Sequence, residues 1–176
     1  MSNPTLWLDS SVARKPAVLR ELTRRSRSKG IRIIAPAQVH LELCRHLRES
    51  KGTGFSQQFI DSMLAQLGIE IVEAHLDRPT AEKWAEMLHQ RFPTSEDWKA
   101  AKLTSVKAKL PEGSTLPASR IPMTTDWWIA LAVERETHAF IAVDDEGEEW
   151  KALRESGRAF SHDDALKWLN AQPDKG

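Results

Sequence analysis

Four acidic positions lie far apart in this chain, each at the edge of an apolar segment. Asp9 ends Leu6-Trp7-Leu8 and is followed by Ser10 and Ser11. Glu42 sits inside the stretch from Pro36 to Leu47. Asp126 opens the run from Trp127 to Val133, and Asp144 and Asp145 follow the run from Ala139 to Val143. A carboxylate withdrawn from water without a partner is strongly disfavoured. Acids set repeatedly against core segments therefore point to a shared counter-ion, and their hard oxygens suit a divalent cation. Taken singly, each acid fits equally well as a helix cap or turn residue. Their order and flanking patterns together carry the signal.

The elements that must position these acids follow from the apolar patterning. Short apolar or β-branched runs at Thr5 to Leu8, Ile31 to Ala35, Ile69 to Val72 and Ala139 to Val143 predict strands, with a weak fifth near Arg158 to Phe160. Between them, helical spacing predicts a short helix around Val18, Leu19 and Leu22, followed by a basic stretch from Arg24 to Lys29. Pro36 is expected in the first turn of a helix carrying Val39, Leu43 and Leu47. Further helices are expected from Phe55 to Leu67 with Gly68 as the cap, from Pro79, and from Glu96 to Lys107. Thr124 or Thr125 should start one that runs to about Thr137, another should lie near Glu148 to Arg154, and Ser161 should cap a last one. Alternating strands and helices predict an α/β fold with a mainly parallel sheet. In such sheets ligands gather beyond the carboxyl ends of the strands. Asp9 and Asp145 are both placed there, and Asp126 is placed at a helix N-terminus.

Composition bounds the rest. The 176 residues suit one domain, with a longer helix-loop excursion at about 93–122 that holds Pro111, Gly113, Pro117 and Pro122. The formal net charge is zero, but it is unevenly spread. Arg14 to Lys51 carries 11 Lys/Arg against 3 Asp/Glu, whereas Glu134 to Gly176 carries 6 against 11, which suggests a basic and an acidic face. The single cysteine, Cys44, excludes an internal disulfide and a zinc site built on several thiolates. No apolar run approaches the ~20 residues that span a bilayer. With no signal peptide evident, a soluble, cytoplasmic protein is expected. The six histidines show no zinc-type pair; His40 and His46 share no helix face.

Leu6-Trp7-Leu8-Asp9-Ser10-Ser11, Leu41-Glu42-Leu43, the run from Asp126 to Ala132, and Ile141-Ala142-Val143-Asp144-Asp145 together resemble the four acidic motifs of PIN domains. The similarity is closest to the small toxin ribonucleases of the VapC type, and it extends from Leu6 to about Leu169. It implies a three-layer α/β/α sandwich and a Mg²⁺- or Mn²⁺-dependent endoribonuclease, frequently a homodimer. For a toxin it also implies a neutralising antitoxin protein. By this resemblance Asp9, Glu42, Asp126 and Asp145 are the catalytic acids. Asp9, Asp126 and Asp145 would hold metal, and Ser10 would support Asp9 through its hydroxyl. The family often carries Thr or Ser two residues before the fourth acid, where this chain has Val143, so Asp144 stands as the alternative fourth acid and metal ligand. Ions held by carboxylates acidify water and clamp phosphate oxygens without a nucleophilic side chain.

RNA binding needs positive charge near the acids. Arg14, Lys15, Arg45 and Arg48 are the candidates, with Lys99, Lys102, Lys107 and Lys109 as a second group in the excursion. Seven Trp and no Tyr are present. Trp98, Trp127 or Trp128 is a candidate for base stacking, and Trp127 or Trp128 for contact with a second copy. Two competing readings stand beside the ribonuclease. One is a non-catalytic PIN-like module that binds RNA or protein. The other is a metallo-phosphoesterase acting on DNA or a small phosphate ester.

Overall fold

The computed structural model describes residues 3–51, 57–73, 77–107 and 124–175. They form an α/β fold on a five-stranded, all-parallel sheet, as the alternating pattern predicts. The strands are β1 (Thr5–Leu8), β2 (Arg32–Pro36), β3 (Ile69–Val72), β4 (Ala139–Ala142) and β5 (Ala159–Phe160), in the order β3-β2-β1-β4-β5. The helices are α1 (Ser10–Ala13), α2 (Pro16–Lys29), α3 (Ala37–Lys51), α4 (Gln57–Leu67), α5 (Arg78–Arg91), α6 (Ser95–Lys107), α7 (Thr125–Arg135), α8 (Lys151–Glu155) and α9 (His162–Ala171). A 3₁₀ turn at Glu148–Trp150 leads into α8.

Helices flank the sheet in a three-layer α/β/α sandwich. Leu6, Trp7 and Leu8 on successive positions of β1 are all buried, so both faces of this strand are covered. Ile33, Ile34 and Ala35 on β2 repeat the pattern. The α2 and α9 helices pack on one another, and α9 also touches β4 and β5. A partly buried triad of Phe140, Phe160 and Trp168 joins β4, β5 and α9.

Several boundaries differ from expectation for local reasons. The basic stretch Arg24 to Lys29 does not follow a short helix; it is the second half of α2. Arg24 and Arg25 both pair with Glu21 one turn back, Leu22 and Ser26 keep a buried stripe, and Gly30 ends the helix at φ +60°. Pro36 closes β2, opposite Val72, rather than starting the helix. Gly68 ends α4 at φ +69°, and its N–H donates to the Ala65 carbonyl, as the sequence suggests. The loop expected at 110–122 lies outside the described residues, as does Phe55.

The described part of the excursion is tied to the domain by aromatic rings. Phe92, Trp98 and Trp127 meet with centroids 5.0–5.7 Å apart, which packs α6 against α7. Trp127 is wholly buried in that cluster, so the suggested contact with a second copy falls away for it. Trp128 is half-buried and stacks at a tilt on Trp84.

Candidate metal centre

Strand order places the acids. The chain winds from β1 through β2 to β3 on one side, while β4 and β5 lie on the other. The order reverses between β1 and β4, and crevices open at such points beyond the carboxyl ends of strands. Asp9 follows β1, and Asp144 and Asp145 follow β4 by two and three residues. The Asp9 N–H donates to the Ala142 carbonyl at 3.0 Å, so the two strand ends are locked in register.

Asp9 is also the N-cap of α1. Its Oδ2 accepts the Ser11 N–H at 2.8 Å, and its carbonyl accepts the Val12 and Ala13 N–H groups. The residue is 2% exposed. Burial pushes its carboxyl above the ordinary aspartate range, the Ser11 and Ser10 hydrogen bonds oppose that rise, and the nearby Asp145 charge adds to it.

A cleft of about 450 Å³ opens at this edge, lined by Ser10, Arg14, Glu42, Arg45, Asp126, Asp145, Glu146 and Gly147. Asp126 arrives on the first turn of α7, where backbone N–H groups favour an anion, and is buried. Glu42 arrives from α3 and is half-buried. Asp145 is exposed at the rim. The cleft thus runs from the buried Asp126 to an open margin at Asp145, with Arg14 and Arg45 in its lining, while Asp9 lies next to the lining residue Ser10 and is not itself part of the wall. The Arg14 Nε donates to the Ser10 carbonyl at 3.1 Å, which anchors its guanidinium.

The two candidates for the fourth acid are placed differently. Asp145 lines the cleft, while the Asp144 carboxylate is held elsewhere. It accepts from Lys15 Nζ at 2.5 Å and from the His162 backbone N–H at 2.9 Å, and it lies 2.9 Å from His162 Nδ1. Burial raises the Asp144 carboxyl, but the Lys15 and His162 hydrogen bonds outweigh it and leave the group below its ordinary range. The Asp144 N–H donates to Ser11 Oγ at 3.0 Å. Ser11 thus joins both strand ends: its N–H serves Asp9 and its hydroxyl serves Asp144.

Of the basic candidates, Arg14 and Arg45 line the cleft, Lys15 is engaged with Asp144, and the Arg48 side chain lies outside the described residues, as do those of Lys107 and Lys109. Lys102 sits over the Trp98 ring, 5.3 Å from its centroid. Sequence reasoning overlooked Glu146, Gly147, Ser11 and His162. Glu146 carried a signal, as the third of three consecutive acids. His162 carried none beyond its place in a capping sequence.

Among the described residues, no three Asp, Glu, His or Cys side chains stand together closely enough to hold one ion directly. The donors are nonetheless carboxylate oxygens, which suit Mg²⁺ or Mn²⁺. Mg²⁺ keeps several waters and takes one or two carboxylates directly. One or two of these carboxylates, Asp9 and Asp126 being the buried ones, could hold a hydrated ion that the other acids meet through water. Comparison with family models, curated proteins and solved structures gives no match. No helix among the described residues is long and apolar enough to cross a membrane.

Proposed function

We propose that this protein is a PIN-like, Mg²⁺- or Mn²⁺-dependent endoribonuclease, acting as the toxin of a toxin-antitoxin pair. The observation that carries the reading is the gathering of Glu42, Asp126 and Asp145 around one cleft, at the strand-order reversal where Asp9 follows β1. These are four acids from four separate elements, in the order of the motifs they resemble. On this reading the partners are an RNA substrate, an antitoxin protein and a second copy of the chain.

A bound Mg²⁺ or Mn²⁺ would supply charge neutralisation at the phosphate and acidify an attacking water. Asp9 and Asp126, the buried acids, would hold the cation. Glu42 or Asp145, more exposed, would orient the water and take its proton on a carboxylate oxygen as the new P–O bond forms, the old P–O bond breaks and the leaving oxygen takes a proton from solvent. Arg14 and Arg45 draw a phosphate of the RNA backbone to the acidic edge. Lys15 and His162 fix Asp144, which leaves Asp145 as the acid turned to the cleft.

The test is cleavage of RNA by the purified protein with Mn²⁺, with EDTA, and by Asp9→Asn. Metal-dependent cleavage that the variant loses supports the proposal. No cleavage of any RNA, or full cleavage by the variant, overturns it. The non-catalytic binding module draws support from the spread of the acids and from the apolar Val143. It predicts RNA or protein binding with no heat of Mn²⁺ binding in calorimetry. A metallo-phosphoesterase of other specificity would show itself as faster cleavage of DNA or of a generic phosphodiester under the same metal.

A further inference from the structure

The acid that faces the cleft from β4 sits on a segment without regular structure, from Val143 to Gly147. Side chains on loops hold their geometry only when neighbouring groups lock them. One end of this loop is locked by the Asp144 contacts with Ser11, Lys15 and His162. The other end rests on a carboxylate that the proposed chemistry does not use. Glu149 is wholly buried, and its Oε2 accepts the hydroxyl of Ser105, itself wholly buried, at 2.5 Å. Ser105 belongs to α6, within the described part of the excursion.

Gly147, a lining residue of the cleft, lies directly over this carboxylate. Its backbone is ordinary, with φ −67° and ψ 157°, so no conformational need calls for glycine. What excludes a side chain is space: a Cβ at 147 would overlap both carboxylate oxygens of Glu149. The carboxylate cannot swing away without leaving the Ser105 hydroxyl and surrendering a buried position. We infer that Glu149 is a positioning residue: braced by Ser105 of α6, it seats Gly147 and thereby sets where Asp145 stands in the cleft. Helix α6 is then a support of the acidic site. The inference rests on the endonuclease reading for its effect on rate, but the brace itself is independent of that reading.

The test uses the full chain with Ser105→Ala, Gly147→Ala, Glu149→Ala and Glu149→Gln. Three readouts serve: kcat and KM on RNA with Mn²⁺, Mn²⁺ affinity by calorimetry, and hydrogen exchange of residues 143–150. A displacement of about 1 Å can reduce a rate roughly 100-fold. Gly147→Ala and Ser105→Ala are therefore expected to lower kcat by about 10- to 100-fold, with KM within about threefold of wild type. Both should speed exchange in 143–150 while leaving β1 and β2 protected. Glu149→Gln keeps the volume and an acceptor for Ser105, and should recover most of what Glu149→Ala loses. Wild-type kcat in both Gly147→Ala and Ser105→Ala, or a loss in Glu149→Gln equal to that in Glu149→Ala, overturns the inference. If wild type cuts no RNA, the endonuclease reading fails alone. The brace is then judged by exchange: faster 143–150 exchange in both variants supports it, and unchanged exchange overturns it.

Discussion

Replacing Asp9 by Asn should stabilise the metal-free protein while removing its metal response. The side chain is 2% exposed, and its carboxyl is raised above the ordinary range by burial, against the opposing Ser11 hydrogen bonds. Asparagine keeps an oxygen for the Ser11 N–H, and Asn and Asp are about equal as N-caps. The variant therefore loses only the charge that burial disfavours. That relief should raise Tm above that of wild type in EDTA at neutral pH. Asp9→Ala gains the same relief but gives up the cap, worth about 1 kcal/mol, and should melt about 2–4 °C below Asp9→Asn. The pH dependence has a definite sign. A carboxyl whose folded value is raised favours folding in its neutral form. Wild type should match Asp9→Asn below the ordinary value of 3.8 and fall behind as pH rises through the elevated folded value. Calorimetric melting in EDTA from about pH 3 to about pH 8 measures this difference. Adding Mn²⁺ at about 100 times its Kd should stabilise wild type by about 2.7 kcal/mol and leave the Asn variant nearly unmoved. An Asn variant that melts below Asp9→Ala in EDTA at neutral pH, or a difference from wild type that does not change with pH, would refute the reasoning.

Four further outcomes follow from the same geometry. Asp145→Asn should reduce Mn²⁺-dependent cleavage by about 100-fold or more with little change in Tm, since the side chain is exposed, as kinetics and melting will report. Asp144→Asn should instead weaken the fold by about 1–2 kcal/mol through its Lys15 and His162 bonds. Because the Asp144 carboxyl is depressed in the folded state, its contribution is complete above the ordinary aspartate range and fades as pH falls through the folded value, so acid melting curves of wild type and variant should converge. Arg14→Ala and Arg45→Ala should raise KM for RNA and flatten its salt dependence by roughly one unit of slope each, measured across a salt series. Arg158→Ala should lower Tm by about 5–10 °C, because this guanidinium donates to the carbonyls of Val133, Glu134, Glu136 and Ala139 where α7 turns into β4.

Much of the architecture was legible in the residues themselves. A strand buried on both faces must be apolar throughout, so β1, β2 and β4 announce themselves as short uninterrupted runs. Helix ends were legible where a specific residue makes them, as at Gly68 and Ser161. Charged helix formers such as Arg24 to Lys29 hid the length of α2, because their support comes from a pairing with Glu21 that composition does not reveal. The acids Asp9, Asp126 and Asp145 could be assigned to one edge from local pattern, since strand ends and helix starts are local properties. Three matters belonged to the tertiary structure alone. Strand order set β4 beside β1 and so brought Asp9 to Asp145, a pairing between segments more than a hundred residues apart in the chain. Which of Asp144 and Asp145 lines the cleft depended on distant segments: Lys15 and His162 engage the Asp144 carboxylate, Ser11 accepts its backbone N–H, and Asp145 is left on the cleft. The role of Gly147 was invisible in sequence, because its backbone is ordinary and only the buried carboxylate of Glu149 beneath it explains why no side chain fits. Local physics decides where a chain extends, coils and turns; which side chains share a site is decided by what packs between them.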